Sequence, residues 1–163
     1  MNRLFAVSMC VFLLAGCTST QSRITLYDDT EKAMVNGVLT SWHLAADQGL
    51  YDFYFDQMTD DAVFLGTDAS ERWTKEEFMG YAREPFSDGN GWTYTQIESH
   101  IMLDADGDTA WADEILKNEK YGILRGTSVL RKVNDRWKIA HYSLTFLVPN
   151  EKAGEVVEII AND

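Results

Sequence analysis

The chain holds three histidines, at 43, 100 and 141, and the surroundings of His141 point most directly to chemistry. It lies in Trp137-Lys138-Ile139-Ala140-His141-Tyr142-Ser143-Leu144-Thr145-Phe146. Read with period two, that stretch sets Trp137, Ile139, His141, Ser143 and Thr145 on one strand face and Ala140, Tyr142, Leu144 and Phe146 on the other. A histidine in an apolar, water-poor setting can act as general acid or base near neutral pH; it can equally be a core or interface residue with its ring hydrogen-bonded. Asp113 and Glu114 supply neighbouring carboxylates that face opposite sides of one strand, either of which could orient the imidazole. A hairpin turning at Asn118-Glu119-Lys120-Tyr121-Gly122 would bring Arg125 close to one of them, as a structural ion pair or as a clamp for a substrate carboxylate.

Other chemistries lack their parts. No histidine stands at helical i, i+4 spacing from another histidine or a cysteine, so no metal site is expected and no cofactor is implied. Asp104-Ala105-Asp106-Gly107-Asp108 has the alternating acids of a calcium loop, but its glycine precedes the third acid and its twelfth position would be Ile115, so a hairpin turn is expected there. The two cysteines, Cys10 and Cys17, both lie at the amino end and no serine sits in a nucleophile elbow, which ranks nucleophilic catalysis third. The formal net charge of −12 repels phosphate backbones and anionic head groups, which argues against a nucleic-acid partner.

The elements that must position these residues follow from periodicity. Asp28 with Glu31 resembles a capping box, and Met34, Val38, Leu39, Trp42 and Ala45 then give a helix over about Asp29 to Asp47, ending near Gly49. Leu50 to Met58 predicts a short second helix with Leu50, Phe53, Tyr54 and Met58 on one stripe. Asp60-Asp61 marks a turn into a short buried strand from Ala62 to Gly66. Thr74 with Glu77 opens a third helix, with Phe78, Tyr81 and Ala82 inward and Pro85 as its stop. Period two then holds over Trp92 to Leu103, Thr109 to Leu116, Ile123 to Val133 and Trp137 to Val148, a four-stranded antiparallel meander in an α+β domain. Both faces of the last strand are too apolar to be wet, so one packs on the helices and the other calls for a second copy: a homodimer.

The amino end has its own pattern. Arg3, an apolar run from Leu4 to Leu14 and the small pair Ala15-Gly16 form a secretory signal too short to span a bilayer as a mature helix. Leu14-Ala15-Gly16-Cys17 resembles a bacterial lipobox, which implies cleavage after residue 16 and lipidation of Cys17, palmitate among the acyl chains. Several chains make a stable membrane anchor. Thr18 rather than Asp after the cysteine resembles the sorting pattern for the outer membrane of a Gram-negative cell, facing the periplasm. Cys10 leaves with the signal, so no disulfide remains to staple the domain. The expected organisation is a signal over 1–16, a lipidated cysteine and polar tether over 17–27, a domain over 28–151 and a tail over 152–163 with a short helix.

The order helix, helix, short strand, helix, long meander resembles the cone-shaped fold of nuclear transport factor 2 and the SnoaL-like proteins. Ala62 to Phe78 ("AVFLGTDASERWTKEEF") is similar to the family's strand, Gly-Thr-Asp step and Glu-x-Trp lead into a helix. "GDTAWADEIL" and "RGTSVLRKVNDRWKIAHYSLTFLVPNE" resemble the closing half of one SnoaL-like subgroup, so the resemblance runs from about Thr30 to Glu151. It implies three N-terminal helices on a curved antiparallel sheet and a pocket between them. Candidates to line that pocket are Trp42, His43, Tyr54, Trp73, Trp92, Trp111, Arg125 and Ser143, with His141, Asp113 and Glu114 as the catalytic set. Trp73 and Trp111 could stack on a flat ligand or fill the core. Ser143 stands where many members carry an amide or a histidine. Family members include polyketide cyclases, steroid isomerases, dehydratases and proteins with no assigned activity, so two functions are carried. The first is a non-enzymatic lipoprotein dimer that binds a small apolar molecule or serves as an envelope assembly module. The second is a small isomerase, dehydratase or cyclase using His141.

Overall fold

The computed structural model describes residues 17–89 and 91–162. The signal segment expected over 1–16 lies outside them. Helix α1 spans Cys17–Asp47, α2 Tyr51–Asp56 and α3 Lys75–Ser87. Strand β1 runs Met58–Leu65, β2 Arg72–Thr74, β3 Thr95–Leu103, β4 Thr109–Asn118, β5 Gly122–Val133 and β6 Arg136–Phe146. A 3₁₀ turn at Asn150–Lys152 leads into α4, Ala153–Ala161, the short helix expected in the tail. No helix among the described residues is long and apolar enough to cross a membrane.

The six strands form one sheet in the order β2-β1-β6-β5-β4-β3. The expected meander β3 to β6 is antiparallel throughout, while β1 adds to β6 in parallel, so the sheet is mixed at that edge. The strand β2, three residues long and antiparallel to β1, is too short to give a periodic signal in the sequence. Asn134 and Asp135, at φ 51° and 58°, form the two-residue turn joining β5 to β6. The loop after β3 is the hairpin turn read from the sequence: Asp104 Oδ1 accepts the Asp108 and Thr109 N–H groups at 3.1 and 3.2 Å.

The Thr74–Glu77 capping box forms, with the Glu77 N–H donating to Thr74 Oγ1 at 3.3 Å and Glu77 Oε2 accepting the Thr74 N–H at 2.8 Å. The other helix signals shift. α1 is helical from Cys17, through the polar Thr18–Thr25 stretch read as an aperiodic tether, because no glycine or proline interrupts the chain before Gly37. Asp28 and Glu31 therefore lie inside the helix, and Glu31 is turned inward. Its carboxylate accepts Trp137 Nε1–H at 2.7 Å and pairs with Lys132 Nζ at 3.0 Å, fixing α1 to the β5–β6 end of the sheet. The buried stripe of α1 is Val35, Leu39, Trp42 and Ala46, with Met34 left 53 % exposed.

In α2 the inward side chains are Tyr54 and Phe55; Leu50 and Phe53 are exposed, and Met58 already belongs to β1. Asp60-Asp61 does not turn the chain. The pair sits in β1 where its register against β6 is irregular, and Asp61 meets Arg131 there. Pro85 lies within α3, which continues to Ser87 before it ends.

The largest correction concerns β6. Pairing slips by one residue at Ala140, because Leu130 faces Ile139 while Val129 faces His141. A bulge of this kind exchanges the two faces. Trp137, Ile139, Tyr142 and Leu144 therefore all face the helices and are buried, and His141, Ser143 and Thr145 lie on the outer face.

Candidate functional site

Two interior features stand on the helix side of the sheet. The first is a polar cluster on Glu114, in the middle of β4 and 1 % exposed. His43 Nε2 from α1 reaches its two oxygens at 3.2 and 3.4 Å; with Nε2 carrying the hydrogen, it donates. Gln96 Nε2 from β3 donates to Oε1 at 2.7 Å, and the Tyr142 hydroxyl from β6 donates to Oε2 at 3.1 Å. Gln96 is held in turn by Asn36 Oδ1 at 3.2 Å. Burial pushes the Tyr142 phenol well above its ordinary value, and the adjacent Glu114 carboxylate adds to the shift.

Gly126, paired with Glu114 across the β4–β5 ladder, makes this possible. A Cβ there would collide with the Tyr142 hydroxyl and press on Glu114 Oε2 at 3.3 Å. The "RGT" step thus opens the space through which Tyr142 reaches the carboxylate.

The second feature is a cavity of about 180 Å³ at the open end of the cone. Its walls are rings. Phe64 of β1 stacks on Phe78 of α3 with centroids 4.1 Å apart, Phe78 lies parallel to Trp73 of β2 at 5.5 Å, and Trp73 stacks on Tyr81 at 4.7 Å. Trp92 and Tyr94, on the segment entering β3, complete the lining, with the Trp92 ring 5.7 Å from that of Phe78. The β4–β5 hairpin brings Tyr121 to the rim. Asn118 Oδ1 accepts the Lys120 and Tyr121 N–H groups at 2.9 Å, and its side-chain amide ties the hairpin to the Thr93 carbonyl. The lining carries one ionisable carboxylate, Glu71, and no histidine, lysine or arginine. Burial pushes the Tyr94 phenol up to about 12, with Tyr121, Glu71 and Tyr81 adding to the shift.

The cluster and the cavity are neighbours but not one site. Phe64 and Tyr94 line the cavity and touch the rings of Tyr142 and His43 from the other side, at 5.9 and 6.4 Å, while Glu114, His43 and Gln96 are absent from the lining. Of the residues picked from sequence, Trp73 and Trp92 line the cavity and Glu114 anchors the polar cluster. Trp42 and Tyr54 stack on each other at 4.6 Å as core.

His141 and Asp113, with Trp111, lie on the outer face, in a shallow hollow shared with Met102, Thr127 and Val129. Arg125 and Ser143 belong to that face by register, opposite Ile115 and Thr127. Glu114 and Arg125 are thus on opposite faces, and among the described residues no ion pair joins Arg125 to Asp113. The partner that geometry gives Glu114 is His43, a residue picked only as a pocket candidate. Its i, i+4 spacing from Leu39 on α1 is the available signal; the β6 bulge that removes His141 leaves no mark in the residue pattern. Tyr94, Tyr121 and Glu71 lie in loops or turns and carry no periodic signal, while Tyr81, expected to fill the core from mid-α3, lines the cavity instead.

Residues 35–149 match the SnoaL-like domain family. No curated protein matches the chain. Among solved structures it is similar to a protein of unknown function from Pseudomonas putida KT2440 with the nuclear transport factor 2-like fold, at 14 % identity over 76 % of this chain and 92 % of that one, with a TM-score of 0.63. It is similar to a candidate aromatic ring hydroxylase from Novosphingobium aromaticivorans, at 18 % identity, 74 % and 91 % coverage and a TM-score of 0.63. A candidate dehydratase of the same fold from Streptomyces avermitilis gives 15 %, 75 %, 99 % and 0.59. At these identities the structures speak for the fold: helices on a curved, mixed six-stranded sheet. The family match covers well over half of the 163 residues, and the chain belongs to the SnoaL-like family.

Proposed function

We propose that this protein is an exported, lipid-anchored SnoaL-like dimer that holds a small molecule in its aromatic cavity and performs no chemistry on it. The observation that carries the reading is the cavity itself, about 180 Å³ walled by stacked rings with a single carboxylate. An apolar cavity of roughly 150 Å³ accommodates benzene, so this one has room for a molecule of about one ring's bulk. The lone pairs that Glu114 would need as a base already accept from His43, Gln96 and Tyr142, and none of that cluster lines the cavity.

A second reading, an acid–base enzyme working through His43 and Glu114, is favoured by one observation, the burial of an imidazole against a carboxylate. It requires a path from the cavity past Phe64 or Tyr94. The dimer reading is supported by the outer sheet face, where Trp111 is 44 % and Met102 39 % exposed around the hollow that holds His141.

Native mass spectrometry of the full chain isolated from its own host tests the proposal. A dimer carrying a discrete small molecule, retained by a His43→Gln variant, is expected. A monomer that stays monomeric under gentle conditions removes the dimer, and product formation that His43→Gln abolishes replaces binding with catalysis. Loss of the acyl mass in Cys17→Ser checks the anchor.

A further inference from the structure

Building on the binding reading above, we infer that the cavity is a site for a small organic cation, a quaternary ammonium or protonated amine seated against Trp73, Tyr81, Trp92 and Tyr94 with Glu71 as its counter-ion. Ring faces carry negative charge density and attract cations, and they do so most when the cation is desolvated. Here seven aromatic residues line one space with room for a trimethylated ammonium group, and among the described residues the lining includes no lysine, arginine or histidine to compete or to receive an anion.

Glu71 is free to take that role. It is half-buried, and among the described residues it forms no ion pair and its carboxylate accepts one hydrogen bond, from the Asp68 N–H at 3.1 Å. It folds over the cavity because residue 66 is glycine; a Cβ at Gly66 would collide with the Glu71 carboxylate.

Of the nearby basic residues, Arg72 points elsewhere and Lys120 meets Tyr121 at the rim. Arg72 is exposed where its neighbour Trp73 on β2 is half-buried, so the two alternate to opposite sides of the strand. Lys120 lines a separate surface hollow. Its ammonium nevertheless lies 4.8 Å from the centroid of the Tyr121 ring, an instance on this rim of the contact inferred within. The net charge of −12 adds a long-range field that draws cations in.

The test compares choline with its neutral carbon isostere, 3,3-dimethylbutan-1-ol, each titrated against the full chain by proton NMR of its nine-proton methyl singlet. Ring currents in the cavity move a bound singlet upfield. Choline is expected to bind tighter than the alcohol by about tenfold, the scale of a desolvated cation on a ring, with the preference shrinking at high salt and in Glu71→Gln. Equal or tighter binding of the alcohol overturns the cation inference and leaves the cavity as a site for neutral molecules. Absence of any shift from either probe overturns the cation inference, while the small-molecule reading stands or falls by the native mass spectrum. A choline preference that Glu71→Gln and Gly66→Ala both leave intact overturns the assignment of Glu71.

Discussion

Glu114 and Glu71 both serve the concave side of the cone, and their surroundings differ in kind. Glu114 is fully enclosed and receives side-chain donors from α1, β3 and β6, so its lone pairs are committed to joining three elements. Glu71 sits half-buried beside an open space with one backbone donor and spare acceptor capacity. A carboxylate surrounded by donors is part of the frame, since a buried charge survives only when satisfied. One left partly unsatisfied next to a cavity is available to something that enters. The depth of burial, which usually draws attention to Glu114 first, therefore points away from the binding site.

Removing the framed carboxylate should produce the largest effect. Glu114→Ala leaves His43 and Tyr142 without their acceptor and Gln96 with Asn36 alone, and a loss of about 3–5 kcal/mol is expected, the usual cost of deleting one member of a buried pair. Urea denaturation of the variant against the parent measures it. A loss below about 1 kcal/mol, within the range of ordinary surface changes, would mean that the cluster is dispensable and the distinction drawn here is wrong.

Gly126→Ala attacks the same cluster without touching a donor or acceptor. The added methyl must displace the Tyr142 hydroxyl from Glu114, and overpacking of this kind costs about 1–3 kcal/mol. If the cluster is the reason for the glycine, pairing this change with Tyr142→Phe should cost less than the two separate losses combined. Strict additivity would show that the glycine serves the backbone instead.

The legibility of these features in the sequence follows the range of the forces behind them. The Thr74–Glu77 box spans three residues, and the meander repeats every two, so both were readable. Trp73 and Trp92 could be picked because large aromatics near turns have few other places to go. What was not readable depends on long-range register. The Ala140 bulge moves His141 out of the interior and Tyr142 to Glu114, and it exists because β6 must pair with β5 on one side and β1 on the other. Asp28 and Glu31 carry the spacing of a helix start, yet Glu31 is held by Trp137 and Lys132, more than a hundred residues away in sequence.

Glu31 is the intermediate case. Burial alone would raise its pKa, but the hydrogen bonds from Lys132 and Trp137 outweigh that and hold it below its ordinary value. A carboxylate with a depressed folded pKa contributes stability that is complete above the unfolded pKa of about 4.5 and is lost as pH falls through the folded value. The parent should therefore lose stability faster than Glu31→Gln between neutral pH and about pH 3, as followed by thermal melts in a pH series. Parallel curves would show that Trp137 is held by geometry alone and that the charge adds nothing.

The smallest effect on stability belongs to Glu71, and that smallness is the point of the comparison. Glu71→Gln keeps an acceptor for the Asp68 N–H and breaks no ion pair, so its unfolding free energy should stay within about 0.5 kcal/mol of the parent. If the variant instead loses more than about 1 kcal/mol, the carboxylate is holding the β1–β2 loop in place. Glu71 would then belong with Glu114 as part of the frame, and the cavity would have to draw its ligand by its rings alone. A neutral change in stability together with a changed preference for choline is the combination that separates a residue kept for a ligand from one kept for the fold.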